Sequence, residues 1–173
     1  GEILEPTDTV IASPPMIKLE AGAQQQFRVM RVKPSDKQAE EAYRLIVDEL
    51  PAPDLKPQKG IQLVMRYSLP LFVNVQNNTE PKLQWRAEKA VNGKAVLVAE
   101  NTGNAHAQLS NITFQTTSAK DALTLASGLA GYVLPGNTWK REVEVSPASL
   151  NPGRLNATVN GMPIQTEVRF AAP

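Results

Sequence analysis

Proline and glycine interrupt this chain so often that long helices have little room to form. The sequence contains 14 prolines and 10 glycines, and the runs between them are short, with apolar and polar residues alternating at every second position. Such alternation places one set of side chains on each face of a strand, and short strands separated by turn residues are typical of β-sandwiches. The sequence therefore predicts an all-β fold.

The predicted strands fall into two groups separated by a polar segment. Residues 77–81, Asn-Asn-Thr-Glu-Pro, have the composition of a linker, which indicates two β-sandwich domains, residues 1–76 and 77–173. The predicted strands are residues 16–19, 25–32, 42–49, 61–75, 83–89, 95–100, 107–115, 131–134, 139–145, 153–159 and 164–170. Asn92-Gly93 between two of them predicts a hairpin. Residues 37–42 could form one turn of helix, and the period of residues 120–129 is ambiguous.

Composition argues against several classes of function. The 18 Lys and Arg nearly balance the 17 Asp and Glu, so no strong positive field exists to attract nucleic acid. The chain has no cysteine, and His106 is its only histidine, so we expect no metal site, no cofactor and no catalytic triad. We expect His106 to lie at the surface or to form a hydrogen bond. No apolar stretch approaches the about 20 residues of a membrane span, so we expect no membrane insertion.

The segment from Ile61 to Leu71 has the longest alternation in the chain. Its odd-numbered side chains, which would share one face, are Ile61, Leu63, Met65, Tyr67, Leu69 and Leu71. One interpretation is a central strand that buries this apolar row in its own sandwich. The other is an edge strand that offers the row to a second protein. The alternation alone does not choose between them.

Several segments, in this order, resemble one family of bacterial proteins. Matching segments include Gln26-Phe-Arg-Val29, Arg66-Tyr-Ser-Leu-Pro-Leu-Phe72 and Glu100-Asn-Thr-Gly-Asn104, together with residues 4–8, 12–15, 40–45, 48–51 and 131–136. They cover nearly the whole chain, which resembles the periplasmic chaperones of the chaperone–usher pilus pathway. The Tyr-Ser-Leu-Pro form is most similar to the branch called archaic.

This resemblance implies two immunoglobulin-like domains in a boomerang arrangement and a non-enzymatic function in the periplasm. The last strand of the first domain would complete a pilus subunit that lacks its own final strand, before delivery to an outer-membrane usher. By position, the inserted side chains would be Ile61, Leu63 and Met65, with Tyr67 and Leu69 extending the contact. Leu71 would pack within the chaperone.

The family's charged sites match this chain only in part. The family holds the subunit's terminal carboxylate with an Arg and a Lys, and the Lys position here is Pro70. Arg66 could replace it as the anchor; the alternative is a charge paired within its own sheet. Arg28 and Glu40 match a pair that joins an interdomain ion network in the family.

The family pattern begins with three strands that have no counterpart before Gly1, so the resemblance implies that the first domain is incomplete. Proteolysis, truncation, or strands supplied by another chain through swapping or self-association would each account for this. The alternative function is a structural or adhesive β-sandwich of the bacterial cell surface. A pilus subunit, however, would be a single domain with a donor segment at its N-terminus.

Overall fold

A computed structural model describes residues 4–51, 61, 63–74, 79–90, 92–116, 122–143 and 153–169. In these ranges the chain forms eleven strands and no helix, which confirms the predicted all-β class. The strands are β1 (Val10–Ser13), β2 (Arg28–Arg31), β3 (Glu41–Asp48), β4 (Arg66–Val73), β5 (Leu83–Lys89), β6 (Ala95–Asn101), β7 (Ala107–Thr116), β8 (Leu123–Val133), β9 (Thr138–Val143), β10 (Gly153–Val159) and β11 (Met162–Val168).

The chain divides into two compact units. The first consists of Gly1–Lys37 and Arg44–Leu69, and the second of Gln38–Tyr43 and Pro70–Pro173. Strands β3 and β4 therefore each contribute residues to both units. The boundary predicted between residues 76 and 77 lies outside the described residues and stays a prediction, as does the boomerang arrangement.

The described residues of the second unit include seven strands, β5 to β11, that form a sandwich. One sheet has the strand order β11-β10-β7-β8 and the other has β5-β6-β9, and neighbouring strands within each sheet are antiparallel. Two antiparallel sheets of four and three strands form an immunoglobulin-like sandwich. Strands β6 and β10 turn alternate side chains inward, and the core is filled by residues such as Leu97, Leu109, Phe114, Leu155 and Val168, each at most 2% exposed.

Asn101 fixes the turn that follows β6. Its side chain is fully buried, and its amide donates to the carbonyls of Ala105 at 2.7 Å and Val133 at 2.8 Å. Its Oδ1 accepts from the backbone N–H groups of Lys82 at 3.1 Å and Gly103 at 3.0 Å. The buried amide thus has partners for its donors and its acceptor, which avoids the cost of burying an unpaired polar group.

The described residues of the first unit form the two-stranded sheet β1-β2 and part of the two-stranded sheet β3-β4. None of its described hydrophobic side chains is fully buried. Of the large hydrophobic side chains that are exposed, all but Leu123, Leu129 and Met162 belong to this unit. The described part of the first unit therefore leaves much of its apolar surface open to solvent.

Several predicted strand bounds were wrong. The first strand is β1, which pairs with β2 from Val10 opposite Arg31 to Ser13 opposite Arg28, whereas residues 16–19 form no strand. Strand β4 begins at Arg66 rather than at residue 61, because β3 ends at Asp48 and little remains for the preceding residues to pair with. The ambiguous residues 120–129 supply the first part of β8 from Leu123, and residues 37–42 contain no helical turn.

Candidate functional site

The candidate site is the segment that leads into β4 and the first half of that strand. The N–H of Glu49 donates to the carbonyl of Met65 at 2.8 Å, and the N–H of Met65 donates to Oε2 of the Glu49 side chain at 3.0 Å. Beside this pair, the Arg66 and Asp48 side chains bond to each other. One strand thus ends where the other begins, so β3 and β4 run antiparallel. In the part of the chain that the structure describes, β4 pairs with no strand other than β3.

The alternating row is exposed in the described structure. The exposed fraction is 92% for Ile61, 84% for Leu63, 51% for Met65, 50% for Tyr67 and 48% for Leu69. A central strand of a sandwich would bury such a row, whereas among the described residues β4 has a neighbouring strand on one side only. The side chains of Leu71, Phe72 and Val73, at the other end of β4, are half-buried.

Arg66 already has a carboxylate partner in its own sheet. Its Nε lies 2.5 Å from Oδ1 of Asp48 and its Nη2 lies 2.9 Å from Oδ2, which is the two-point geometry that arginine favours with carboxylates. The hydrogen bond from Arg66 lowers the pKa of Asp48, and the same bond raises the pKa of Arg66. Arg66 also lies one position out of step with the apolar row, so its side chain projects from the opposite face of the strand.

Glu40 belongs to the second unit, and its carboxylate is held by His106. The Glu40 side chain is 4% exposed, and its Oε1 lies 2.7 Å from Nδ1 of His106 and accepts the backbone N–H of the same residue at 3.0 Å. The His106 ring stacks on Phe72, with ring centroids 3.7 Å apart and planes 10° apart. The expectation that His106 forms a hydrogen bond is confirmed. Arg28 lies on β2 in the first unit, and its pairing with Glu40 stays a prediction.

Sequence reasoning missed the contact between Glu40 and His106. The two residues are 66 positions apart, and neither is part of a motif that predicts the other. The only available signal was that a single histidine follows a turn. The contact depends on the fold, which brings the start of β3 against the second unit's own strands.

Other kinds of site find no support in the described ranges. They contain no group of three or more His, Cys, Asp or Glu side chains arranged to hold a metal ion. Within the same ranges, no helix has the length and apolar character needed to cross a membrane.

Comparison with known proteins places the chain in a functional class. Residues 2–77 match the family model described as pili and flagellar-assembly chaperone, PapD N-terminal domain. No curated protein sequence matches the chain significantly.

Among solved structures, the chain is similar to CsuC of the CsuC–CsuE chaperone–tip adhesion subunit pre-assembly complex from the archaic chaperone–usher Csu pili of Acinetobacter baumannii. The two are 27% identical, the TM-score is 0.61, and the match covers 96% of this chain and 76% of that chain. The YadV chaperone is 16% identical with a TM-score of 0.68, over 94% and 79% of the two chains.

The CupB2 chaperone of Pseudomonas aeruginosa is 15% identical with a TM-score of 0.60, over 94% and 75%. YadV and CupB2, both below 25% identity, support the fold, and the family model and the CsuC match support the class. The family match over residues 2–77 and the similarity to CsuC together support a pilus-assembly chaperone of the chaperone–usher pathway, a class of binding proteins that are not enzymes.

Proposed function

We propose that this chaperone acts in the periplasm, where it binds pilus subunits by lending the apolar row to a subunit sandwich that lacks one strand. The bound side chains would be Ile61, Leu63 and Met65, with Tyr67 and Leu69 extending the contact. The observation that carries the proposal is the exposure of this row, which reaches 92% at Ile61, beside an edge of β4 that no described strand covers.

The energy available from the row is large enough for capture. Burying a large aliphatic side chain contributes about 1.5–3 kcal/mol. Ile61 and Leu63 are almost fully exposed and Met65 is half-exposed, so the three together would contribute about 4–7 kcal/mol. Ordering of both partners takes back part of that sum, and the backbone bonds of an added strand supply more.

The nature of the partner is proposed from the CsuC–CsuE complex. CsuC is described in a pre-assembly complex with a tip adhesion subunit, and we propose that this chain likewise takes a pilus subunit as its partner. A subunit that lacks a strand presents an apolar groove and unpaired backbone groups, which together promote aggregation. Covering them until assembly, and then handing the subunit to an outer-membrane usher, is the function we assign to the chain.

Arg66 remains our candidate for the residue that anchors the subunit's terminal carboxylate. In this proposal the subunit carboxylate replaces the carboxylate of Asp48 as the partner of Arg66. Its present partner, Asp48, forms a solvent-exposed pair with it, with side-chain exposures of 73% for Arg66 and 37% for Asp48. Exposed ion pairs are weak because water competes for both groups. A subunit carboxylate in a drier interface could therefore displace Asp48 at little cost. We also keep the proposal that Arg28 and Glu40 join an interdomain ion network.

The proposed function is tested by placing two charges in the row. We expect Leu63→Asp combined with Met65→Asp to abolish co-purification of a cognate pilus subunit when the two proteins are co-expressed. Both side chains are at least half-exposed in the free protein, so the double variant should fold normally, whereas two carboxylates would have to be buried in the complex.

The matched control is Leu129→Asp combined with Met162→Asp. These side chains are 58% and 69% exposed but belong to the second unit, so the control should recover as much subunit as the unmodified protein. Equal recovery by the row variant and the control would refute the proposed role of the row.

A further inference from the structure

The backbone groups along β4 face two different sides. The carbonyl and the N–H of Met65 both bond to Glu49, so the backbone groups of Met65 face the β3 side. Successive residues of a strand direct their backbone groups to opposite sides. Tyr67 and Leu69 therefore also face β3, and the backbone groups of Val64, Arg66, Ser68 and Pro70 face the open edge.

Pro70 differs from the other residues of that edge because it has no N–H to donate. In place of the hydrogen, its ring projects toward any strand that approaches the edge. Proline is tolerated in a strand where its nitrogen faces away from the neighbouring strand. Pro70 meets that condition, because the backbone groups that face β3 here belong to its neighbours, Leu69 and Leu71. Pro70 is also exposed.

We propose that Pro70 ends the backbone ladder between this edge and the incoming subunit strand. Val64, Arg66 and Ser68 then supply the edge donors that hold the subunit, and the register of the added strand stops at residue 70. This inference rests on the proposed function, and it assigns Pro70 a positioning role within it. Because the stop lies in the backbone, it limits the ladder whichever side chains the subunit presents.

The test is residue-resolved amide hydrogen exchange in the full chain, free and in complex with a co-expressed cognate pilus subunit. In the free protein, the Tyr67 and Leu69 amides should exchange slowly because they face β3, and those of Arg66 and Ser68 should exchange quickly. In the complex, the Arg66 and Ser68 amides should slow by at least about tenfold. The variant Pro70→Val adds an amide at residue 70, which should be fast in the free protein and slow by a similar factor in the complex.

Two results would count against the inference, and they differ in what else they affect. If the Arg66 and Ser68 amides become protected but the new amide at residue 70 exchanges equally fast in both states, the ladder ends for a reason other than Pro70. If the subunit is captured and neither Arg66 nor Ser68 gains protection, strand addition at this edge is wrong, and the inference is overturned together with the proposed function.

A second variant moves the proline into the ladder. Ser68→Pro removes one edge donor at a position that, like residue 70, faces away from β3, so the pairing with β3 should survive. Slow exchange at Tyr67 and Leu69 in the free variant would verify that. We expect subunit binding to weaken roughly two- to tenfold, the effect of one lost backbone bond. Binding as tight as that of the unmodified protein would show that Ser68 is outside the ladder and would overturn the inference.

Discussion

Replacing Glu40 with alanine should destabilise the second unit, although Glu40 precedes that unit's main segment by 30 residues. The Glu40 side chain is 4% exposed, and one of its oxygens accepts both the backbone N–H and the ring Nδ1 of His106. Loss of a hydrogen bond to a charged group costs about 1.5–3 kcal/mol, and a buried donor left without a partner costs about 1–3 kcal/mol. We therefore expect Glu40→Ala to lower the free energy of unfolding by about 2–4 kcal/mol.

The two tryptophans make this loss measurable in one unit. Trp85 and Trp139 both lie in the second unit, with ring centroids 6.3 Å apart, and they are the only tryptophans in the chain. Their fluorescence during urea unfolding therefore reports on that unit. With a denaturant slope of about 1–3 kcal/mol per molar urea, the midpoint should fall by roughly 1–2 M.

Two further variants test whether the lower stability comes from the lost contact between Glu40 and His106 or from the removal of any carboxylate. Glu40→Gln retains an oxygen that can accept both bonds but loses the charge, so its effect should be smaller, about 1 kcal/mol. Glu20→Ala removes an exposed carboxylate that is paired with Lys18, and it should leave the midpoint unchanged. A midpoint for Glu40→Ala that matches that of Glu20→Ala would refute the reasoning, because it would mean that residues 38–43 do not fold with the second unit.

Two other predictions concern the same sandwich. Gly153→Ala should destabilise the sandwich by about 1–3 kcal/mol, because a Cβ at this position would collide with the ring of Phe114, which is 2% exposed. In the same urea assay, Phe114→Leu should partly restore the stability of the Gly153→Ala variant. An absence of rescue would show that the collision is not the cause. Glu88 has a pKa below its ordinary value, chiefly through its hydrogen bond with Arg86 and also through Lys140. Its ionised form therefore stabilises the fold fully above the ordinary glutamate pKa of about 4.3. That contribution to stability is lost as the pH falls toward the lowered pKa. The stability difference between the unmodified protein and Glu88→Gln should therefore shrink below about pH 4.3, and a constant difference from pH 7 to pH 3 would contradict this.

The parts of the fold that the sequence predicted well are those whose side chains alternate between a sealed core and solvent. The strands predicted at residues 83–89 and 153–159 have the same bounds as β5 and β10. The Asn92-Gly93 turn also joins β5 and β6 as predicted, with Gly93 at a φ of 81°. In these places a period of two and a turn signal are local properties, so the sequence carries them directly.

The parts that were missed depend on partners far along the chain. Strand β8 begins within residues that looked ambiguous, because its pairing with β7 is broken by bulges. At one of them, Asn111 has a φ of 49° and its Oδ1 accepts the N–H of Gly128 at 2.9 Å. A bulge shifts the alternation by one residue, so a search for strict period two fails there.

The candidate site shows the same division between local and distant information. The alternation predicted which side chains of the row share a face, and family resemblance suggested their use. Neither indicated that the Arg66 guanidinium forms hydrogen bonds with the carboxylate of Asp48, since that contact follows from the register of β3 against β4. The ambiguity between a central strand and an edge strand could also be decided only by what lies beside β4.

Strand β4 changes character within eight residues, and this has a mechanical consequence. Its first half presents Tyr67 and Leu69 to solvent, while Phe72, three residues further on, lies stacked on His106 in the second unit. A subunit bound to the first half of β4 would be attached to a strand whose other end is fixed by packing in the second unit. A pull on the subunit along the axis of β4 would load the β3-β4 ladder in shear, so that its hydrogen bonds would resist together instead of opening one after another.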